Sequence, residues 1–260
     1  MSFHTWLFGQ RTRRDLTGRG LGCRPSPKDA RDFDYPTAGA TTELSLPESV
    51  LLKGWSIKNQ GRFNSCTAHA VCTAAEILSA KQVPFSERHN WYHARKDYMR
   101  TYPANTGAHI RDALKIAQKV GCAPDALCPY GSTIDALNEA PSVLAEGFAR
   151  FYRIGEYAQC ATVLDAKVAL NDGFPVVIGM RIDGAFGLTT QVVTMPKAPF
   201  GGAHAMVVIG YTPAGFVLLN SWDVLWGTQG RAVLPYEVVQ DDDVVFEKYA
   251  VTSLKRRDAP

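Results

Sequence analysis

The chain has 260 residues, of which 46% are hydrophobic and 20% are charged, and its formal net charge is +3. These values are typical of a globular protein with one large domain or two lobes around a cleft. So small a net charge argues against nucleic acid as a partner, and the chain lacks the run of about 18 apolar residues that a membrane helix needs. We therefore expect neither nucleic acid nor membrane as a partner.

The N-terminal region, residues 1–22, is predicted to be a flexible basic leader, because "RTRRDLTGRG" combines arginines with glycines. An extended arm punctuated by prolines, "RPSPKDARDFDYP", follows within residues 23–45. No apolar segment of the signal-peptide type precedes the arginines, so we expect a cytoplasmic protein. A phage-encoded protein or an injected effector fits the same features.

The first half of the remaining chain, about residues 46–145, has helical patterns. Between Cys66 and Gly121 they are "CTAHAVCTAAEILSAK", "SERHNWYHARKDYMRTY" with Ser86 as the predicted N-cap, and "AHIRDALKIAQKVG". The second half, about residues 146–260, has β-branched and aromatic runs bounded by glycine and proline, with one helical segment, "TVLDAKVALNDG". The sequence thus predicts an α+β fold of two lobes, the helical one first, and a cleft between them is a natural place for a site.

The cysteines show no CxxC pair and no zinc-type spacing. A single reactive thiol would leave an odd number of the six for pairing, which favours a reducing compartment, although a Cys122–Cys128 disulfide stays open. Cys66 follows the turn "QGRFNS" and begins a helix of small residues. The unpaired N–H groups at a helix start and a nearby histidine would both lower the pKa of this thiol from its ordinary value of about 8.5.

Three histidines near Cys66 in the sequence are weak candidates for that partner. His69 lies on the same predicted helix and points along it, so we expect a structural role. His89 and His93 have the i, i+4 spacing of a zinc pair, but the sequence shows neither an HExxH glutamate nor a third ligand. We therefore predict no metal ion and no cofactor.

A better candidate is His204, which opens the apolar strand "HAMVVIGY". Asn220 ends the next predicted strand, and the turn "TPAG" between the strands would bring the two side chains together. The amide oxygen of Asn220 would then orient the imidazole of His204 toward Cys66. This is the arrangement of nucleophile, base and orienting group that covalent catalysis uses.

At this point the chain resembles the papain-like cysteine peptidases, in particular the bacterial and viral subgroup. The motifs that carry the resemblance are "NQGRFNSCTAHA", "GGAHAMVVIGY" and "NSWDVLWGTQG", and the similarity extends from about Gly22 to about Val239. The separation of Cys66 from His204, 204 − 66 = 138 residues, agrees with the roughly 130–150 residues typical of the family. The resemblance implies a papain-like two-lobe fold with a β-barrel-like second lobe, and a monomeric endopeptidase that acts on proteins or peptides.

The resemblance also implies roles for individual residues. Cys66 would attack the peptide carbonyl to form a thioester, His204 would transfer protons, Asn220 would orient His204, and Gln60 would hold the oxyanion. The substrate would contact Gly107, Ala203 and Trp222. Trp222 would also shield the contact between Asn220 and His204 from water. Trp226 is expected to serve packing only.

The sequence departs from the family pattern at several positions. Phe63 stands where the first cysteine of a familiar disulfide is usual, Thr67 replaces an aromatic residue after the nucleophile, and Asp223 replaces a glycine. Two alternatives to the peptidase stay open: another Cys-His-Asn enzyme, such as an acyl transferase or a deamidase-type effector, and a catalytically silent binding protein. The leader is either a tail or a segment that folds back over the cleft.

Overall fold

The structure is a computed structural model that describes residues 16, 18–29, 34–35, 45–80 and 82–256. Most of the predicted leader and the middle of the arm lie outside these residues. The leader is represented by Leu16 and residues 18–22.

The helices of the described chain lie mainly in its first half, as the sequence predicts. They are α1 (Cys66–Leu78), α2 (Glu87–His93), α3 (Ile110–Lys119), α4 (Ile134–Asn138), α5 (Val143–Ala149), α6 (Val163–Asn171), α7 (Gly184–Gly187) and α8 (Tyr236–Gln240). A π-helical turn, Ala94–Met99, continues α2 directly. The segment "GFARFYRIG", predicted as a strand, is divided, because its first residues end α5 and a short strand follows.

The strands lie mostly in the second half. They are β1 (Cys23–Arg24), β2 (Val50–Leu51), β3 (Ala108–His109), β4 (Tyr152–Ile154), β5 (Tyr157–Gln159), β6 (Val176–Ile182), β7 (Gly202–Thr212), β8 (Gly215–Leu219), β9 (Arg231–Leu234), β10 (Val245–Val251) and β11 (Leu254–Arg256).

The main sheet is antiparallel, with strand order β5-β10-β6-β7-β8-β9, and β2 adds to the far end of β7. The two-lobe α+β fold is thus confirmed, but among the described strands the sheet is open rather than closed into a barrel. Two smaller sheets have two strands each. In one, β4 pairs antiparallel with β11, and in the other, β1 pairs parallel with β3. Strand β1 directly follows the leader. The lobe boundary near residue 145 stays a prediction.

Helix α1 is the central helix of the fold. Twelve of its thirteen residues are buried, and its alanines let α3 and strand β7 approach closely. One hydrophobic core fills the space between α1, α3 and the sheet, and a second core lies on the opposite side of the sheet, against α6 and α8. The N-terminus of α1 therefore meets β7 where the helical and β parts of the chain join.

All six cysteines are buried free thiols, so Cys122 and Cys128 do not form a disulfide. None of the helices in the described part of the chain has the length and hydrophobicity needed to cross a membrane.

Candidate active site

Cys66 is the first residue of α1 and is fully buried. Backbone groups of Thr67, Ala205 and Cys23, which belong to the helix start, to β7 and to β1, lie near its thiol and lower its pKa. The contact with Ala205 brings the sulfur to the strand segment that carries His204. The structure thus places the predicted nucleophile where three elements converge.

His204 and Asn220 meet as the sequence predicts. Strands β7 and β8 pair antiparallel through a tight turn, with Val207 opposite Leu219, so both residues lie at the same end of the hairpin. The His204 Nε2 atom lies 2.8 Å from Asn220 Oδ1, an oxygen that also accepts a bond of 2.8 Å from the backbone N–H of Ser221. Because an amide oxygen only accepts, Nε2 carries the proton and Nδ1 carries a lone pair. This Nδ1 is buried and has no hydrogen-bond partner.

Trp222 covers the imidazole of His204. The two rings are stacked, with their centroids 4.6 Å apart and their planes 27° apart, and Trp222 is fully buried. Trp226 lies behind it and donates a hydrogen bond of 3.0 Å from Nε1 to the Phe186 carbonyl. Trp226 therefore packs in the core, whereas Trp222 lies against the imidazole that contacts Asn220.

Gln60 is fully buried, and both polar atoms of its side chain form hydrogen bonds. Its Oε1 atom accepts a bond of 2.6 Å from the Ser221 hydroxyl, which turns its Nε2 atom toward two backbone carbonyls, those of Phe63 at 2.8 Å and Gly20 at 2.9 Å. An amide donor aimed at a peptide carbonyl is the chemistry that an oxyanion hole requires.

The Gly20 carbonyl belongs to the leader, whose described residues contact several of the predicted site residues. The Gly20 N–H donates to the Gly61 carbonyl at 2.8 Å, and the Gly22 N–H donates to the Ala203 carbonyl at 3.1 Å. Gly107 lies so close to the leader that a Cβ on it would be 1.5 Å from the Gly22 oxygen. Thus both Gly107 and Ala203, predicted to contact substrate, contact the leader.

Arg19, also in the leader, contacts both the ring and the backbone of Trp222. Its guanidinium lies 5.4 Å from the centroid of the Trp222 ring and donates a hydrogen bond of 3.1 Å to the Trp222 carbonyl. With the leader in this position Cys66, His204 and Gln60 are each fully buried.

Burial keeps the thiol and the imidazole neutral. It raises the pKa of Cys66 to about 11, although hydrogen bonds from backbone groups oppose the rise. Burial also lowers the pKa of His204 to about 4, against the hydrogen bond to Asn220. The thiolate–imidazolium pair expected from the sequence is therefore disfavoured in this covered state, because both charged forms have lost their contact with water.

The structure accounts for Asp223 in place of the usual glycine. Its backbone has φ of 62°, in the left-handed region where glycine is favoured and aspartate is among the better tolerated alternatives. Its carboxylate accepts bonds from the Leu225 N–H at 2.7 Å and from the Asn59 side chain at 3.2 Å. These contacts stabilise the turn that follows Trp222, and Trp222 is still stacked on His204.

The remaining histidines lie outside the triad. His69 is buried, with its Nδ1 atom 3.1 Å from the Ser65 carbonyl, which agrees with a structural role. His109 contacts the Arg24 carbonyl through Nδ1, at 3.2 Å. His4 lies outside the described residues. In the part of the chain that the structure describes, one group of metal-ligating side chains is found, and it joins His89 and His93 to Glu146.

Sequence reasoning missed the residues that support Gln60. Tyr130 donates to the Gln60 carbonyl at 3.1 Å, and its hydroxyl lies 2.7 Å from that of Ser65. Ser221 holds the Gln60 side chain, as described above. Ser221 follows Asn220 in the motif "NSWDVLWGTQG", so the sequence could have indicated it. Tyr130 lies in a loop distant in sequence from Gln60, so no local pattern indicated its contact.

No family model matches the chain. The chain is 27% identical over 232 residues to an uncharacterised peptidase C1-like protein of Acanthamoeba polyphaga mimivirus, covering 80% of this chain and 71% of that protein.

Solved structures with the same fold include one cysteine protease and one procathepsin. Xylellain, a cysteine protease from Xylella fastidiosa, superposes with a TM-score of 0.84 and 26% identity, over 93% of this chain and 97% of that chain. Procathepsin B S9 from Trypanosoma congolense has a TM-score of 0.74 and 16% identity, over 91% of this chain and 87% of that chain, and shows the fold alone. The fold and the sequence similarities support a papain-like cysteine peptidase.

Proposed function

We propose that this peptidase is an endopeptidase that hydrolyses peptide bonds through a thioester on Cys66, with His204 and Asn220 as the other members of a catalytic triad. The observation that carries the proposal is the state of His204. Its Nε2–H is fixed on Asn220 at 2.8 Å, and its Nδ1 lone pair is buried and unpartnered. A buried basic nitrogen without a partner is costly for stability, and it is the group that a neighbouring thiol needs as a proton acceptor.

The chemistry follows from these atoms. The proton of the Cys66 thiol moves to His204 Nδ1, and the sulfur forms a bond to the substrate carbonyl carbon. The C–N bond then breaks, and Nδ1 returns the proton to the departing amine, leaving a thioester. Nδ1 next takes a proton from water as the water oxygen attacks the thioester carbon. The C–S bond then breaks to release the acid, and Nδ1 returns the proton to the sulfur, which restores the thiol and the neutral imidazole.

Gln60 is assigned to the oxyanion. Its Nε2–H group already donates to a peptide carbonyl, that of Gly20, and the Ser221 hydroxyl prevents the amide from turning away. The backbone N–H of Cys66, at the start of α1, would be the second donor. Preorganised donors of this kind typically contribute about 10²–10³ in rate each.

The substrate is assigned to the class of extended polypeptides. The leader offers backbone N–H and C=O groups to Gly61, Ala203 and Gln60, and an extended peptide carries the same groups. Gly107 would leave room for the backbone of that peptide, as it does for Gly22. The leader and a substrate would therefore compete for one cleft.

The test uses a fluorogenic peptide and an epoxide-type cysteine-protease inhibitor, applied to the full chain and to a chain that begins at Leu21. We expect peptide cleavage and a label on Cys66, identified by mass mapping, and neither in Cys66→Ala. Mass spectrometry of the products distinguishes cleavage from deamidation or acyl transfer of an intact peptide. Turnover by Cys66→Ala, or intact peptide as the only product, would refute the proposal.

A further inference from the structure

The side chains of His89, His93 and Glu146 converge in the helical lobe, outside the triad and its cleft. The histidines face the same way on α2, with ring centroids 4.7 Å apart, and Glu146 comes from α5. One ligand atom from each of the three residues lies within 4.8 Å of the other two. The carboxylate oxygens of Glu146 lie 2.8 Å from His93 Nε2 and 3.5 Å from His89 Nε2. Glu146 is the third ligand that the sequence pattern lacked.

His89 points to a ligand independently of this grouping. It is fully buried, its Nδ1 atom has no hydrogen-bond partner, and its Nε2 atom has only the long contact of 3.5 Å with the Glu146 carboxylate. Buried polar atoms are nearly always paired, and leaving one unpaired costs about 1–3 kcal/mol.

His93 is held by carboxylates on both sides. Its Nδ1 atom lies 2.7 Å from Asp97 Oδ2, in the π-helical turn that continues α2, and its Nε2 atom faces Glu146. Both nitrogens must carry protons to donate to two carboxylates, whereas a metal ion would replace the proton at Nε2. A carboxylate on the other nitrogen of a ligating histidine is the usual arrangement at metal sites, where it fixes the tautomer and strengthens the ligand.

We propose that His89, His93 and Glu146 bind one divalent transition-metal ion of the zinc class, with Asp97 orienting His93. Two imidazoles and a carboxylate suit zinc, and they leave a coordination position for water. The Glu146 side chain is 31% exposed, which gives an ion access from solvent.

The ion would act as a clamp for α5. That helix attaches to its neighbours through the small side chains of Ala145 and Ala149, while its Val143 and Leu144 side chains are exposed. So small a buried surface stabilises a two-turn helix weakly. An ion bound between α2 and Glu146 would join segments that are more than fifty residues apart in sequence, and it would stabilise the folded state by mass action.

The test is metal binding to the full chain after treatment with a chelator and blocking of Cys66 with the epoxide, so that this thiol is not a ligand. Zn²⁺ is titrated by calorimetry, and Co²⁺ serves as a spectroscopic probe. We expect one ion per chain, a Co²⁺ spectrum without a sulfur-to-metal charge-transfer band, and a thermal midpoint that rises with added Zn²⁺.

The variants His93→Gln and Glu146→Gln keep side-chain size at partly exposed positions, so folding is expected to survive. We expect each to weaken Zn²⁺ binding by more than a hundredfold, and Asp97→Asn by about 10–100-fold. Glu139→Gln, which changes an exposed carboxylate of the same lobe, should bind like the unchanged chain. Absence of binding, or binding of equal strength in His93→Gln and Glu146→Gln, would overturn the proposal and leave the cluster as a hydrogen-bonded charge network.

Discussion

The side-chain amide of Gln60 donates a hydrogen bond of 2.9 Å to the backbone carbonyl oxygen of Gly20. The donor assigned to the oxyanion is thus occupied by a carbonyl of the chain's own leader. The same leader residues bond to the backbone of Gly61 and Ala203, and the thiol of Cys66 is fully buried. We expect a substrate to gain access to the thiol only after these contacts break.

Gly20→Ala tests whether the leader limits activity. A Cβ at this position would lie 1.8 Å from the Phe63 carbonyl oxygen, so the leader cannot keep its place. Overpacking of this kind costs about 1–3 kcal/mol and would destabilise the position of the leader against the site residues. Because a substrate would compete with the leader for this position, we expect KM for a small fluorogenic peptide to fall about tenfold. A chain that begins at Leu21 should show the same fall.

The control for this prediction is Lys28→Ala, at an exposed position of the arm. Its kinetic constants should match those of the unchanged chain. Identical KM and kcat for all four proteins would reduce residues 1–22 to a tail without influence on the site.

The pH dependence of alkylation should differ between the covered and uncovered cleft. In the full chain the pKa of Cys66 is about 11, so the thiolate forms only in alkali and labelling slows as the pH falls below that value. Without the leader, both Cys66 and His204 regain water, and the ion pair should keep a thiolate down to about pH 5–6.

The measurement is the rate of iodoacetamide labelling against pH, with mass mapping of each cysteine. Cys72 and Cys160 are internal controls, because burial raises the pKa of both thiols and neither lies in the cleft. A shortened chain whose Cys66 reacts no faster than these two at pH 6 would contradict the ion pair.

Much of the site could be predicted because its signals are local. Cys66 at a helix start, His204 at a strand start and Asn220 after the next strand each follow from nearby residues, and the order of the motifs links them. The hairpin of β7 and β8 then brings His204 to Asn220 without further information.

The features that were not predicted depend on contacts between distant parts of the chain. The sequence left open whether the leader is a tail or folds back toward Cys66, because the position of Gly20 depends on backbone groups, which any residue type provides. Glu146 joins His89 only when α5 folds against α2. The pKa values of Cys66 and His204 disfavour the expected ion pair, because burial of both groups outweighs their local partners.

Replacing His204 should lower kcat more than replacing Asn220. His204→Ala removes the proton acceptor and should lower kcat by about 10²–10⁴. Asn220→Ala leaves the imidazole stacked on Trp222 but frees its Nε2 atom, so we expect a smaller loss. Asn171→Ala, an exposed amide in α6, serves as the control. Equal and complete losses in two folded variants would mean that Asn220 does more than orient the ring.

The last prediction concerns stability and a charge cluster beneath α1. Lys58 Nζ lies 2.7 Å from Glu76 Oε1 and also contacts the carboxylate of Glu87, and both glutamates are almost completely buried. Lys58→Met removes the cation that these carboxylates share, which leaves two buried like charges facing each other. Breaking a buried pair in this way typically costs about 3–5 kcal/mol, so the free energy of unfolding in urea should fall by that amount. Lys119→Met, at an exposed position of α3, should change it by less than about 0.5 kcal/mol. If the two variants were equally stable, the cluster would contribute nothing to the fold.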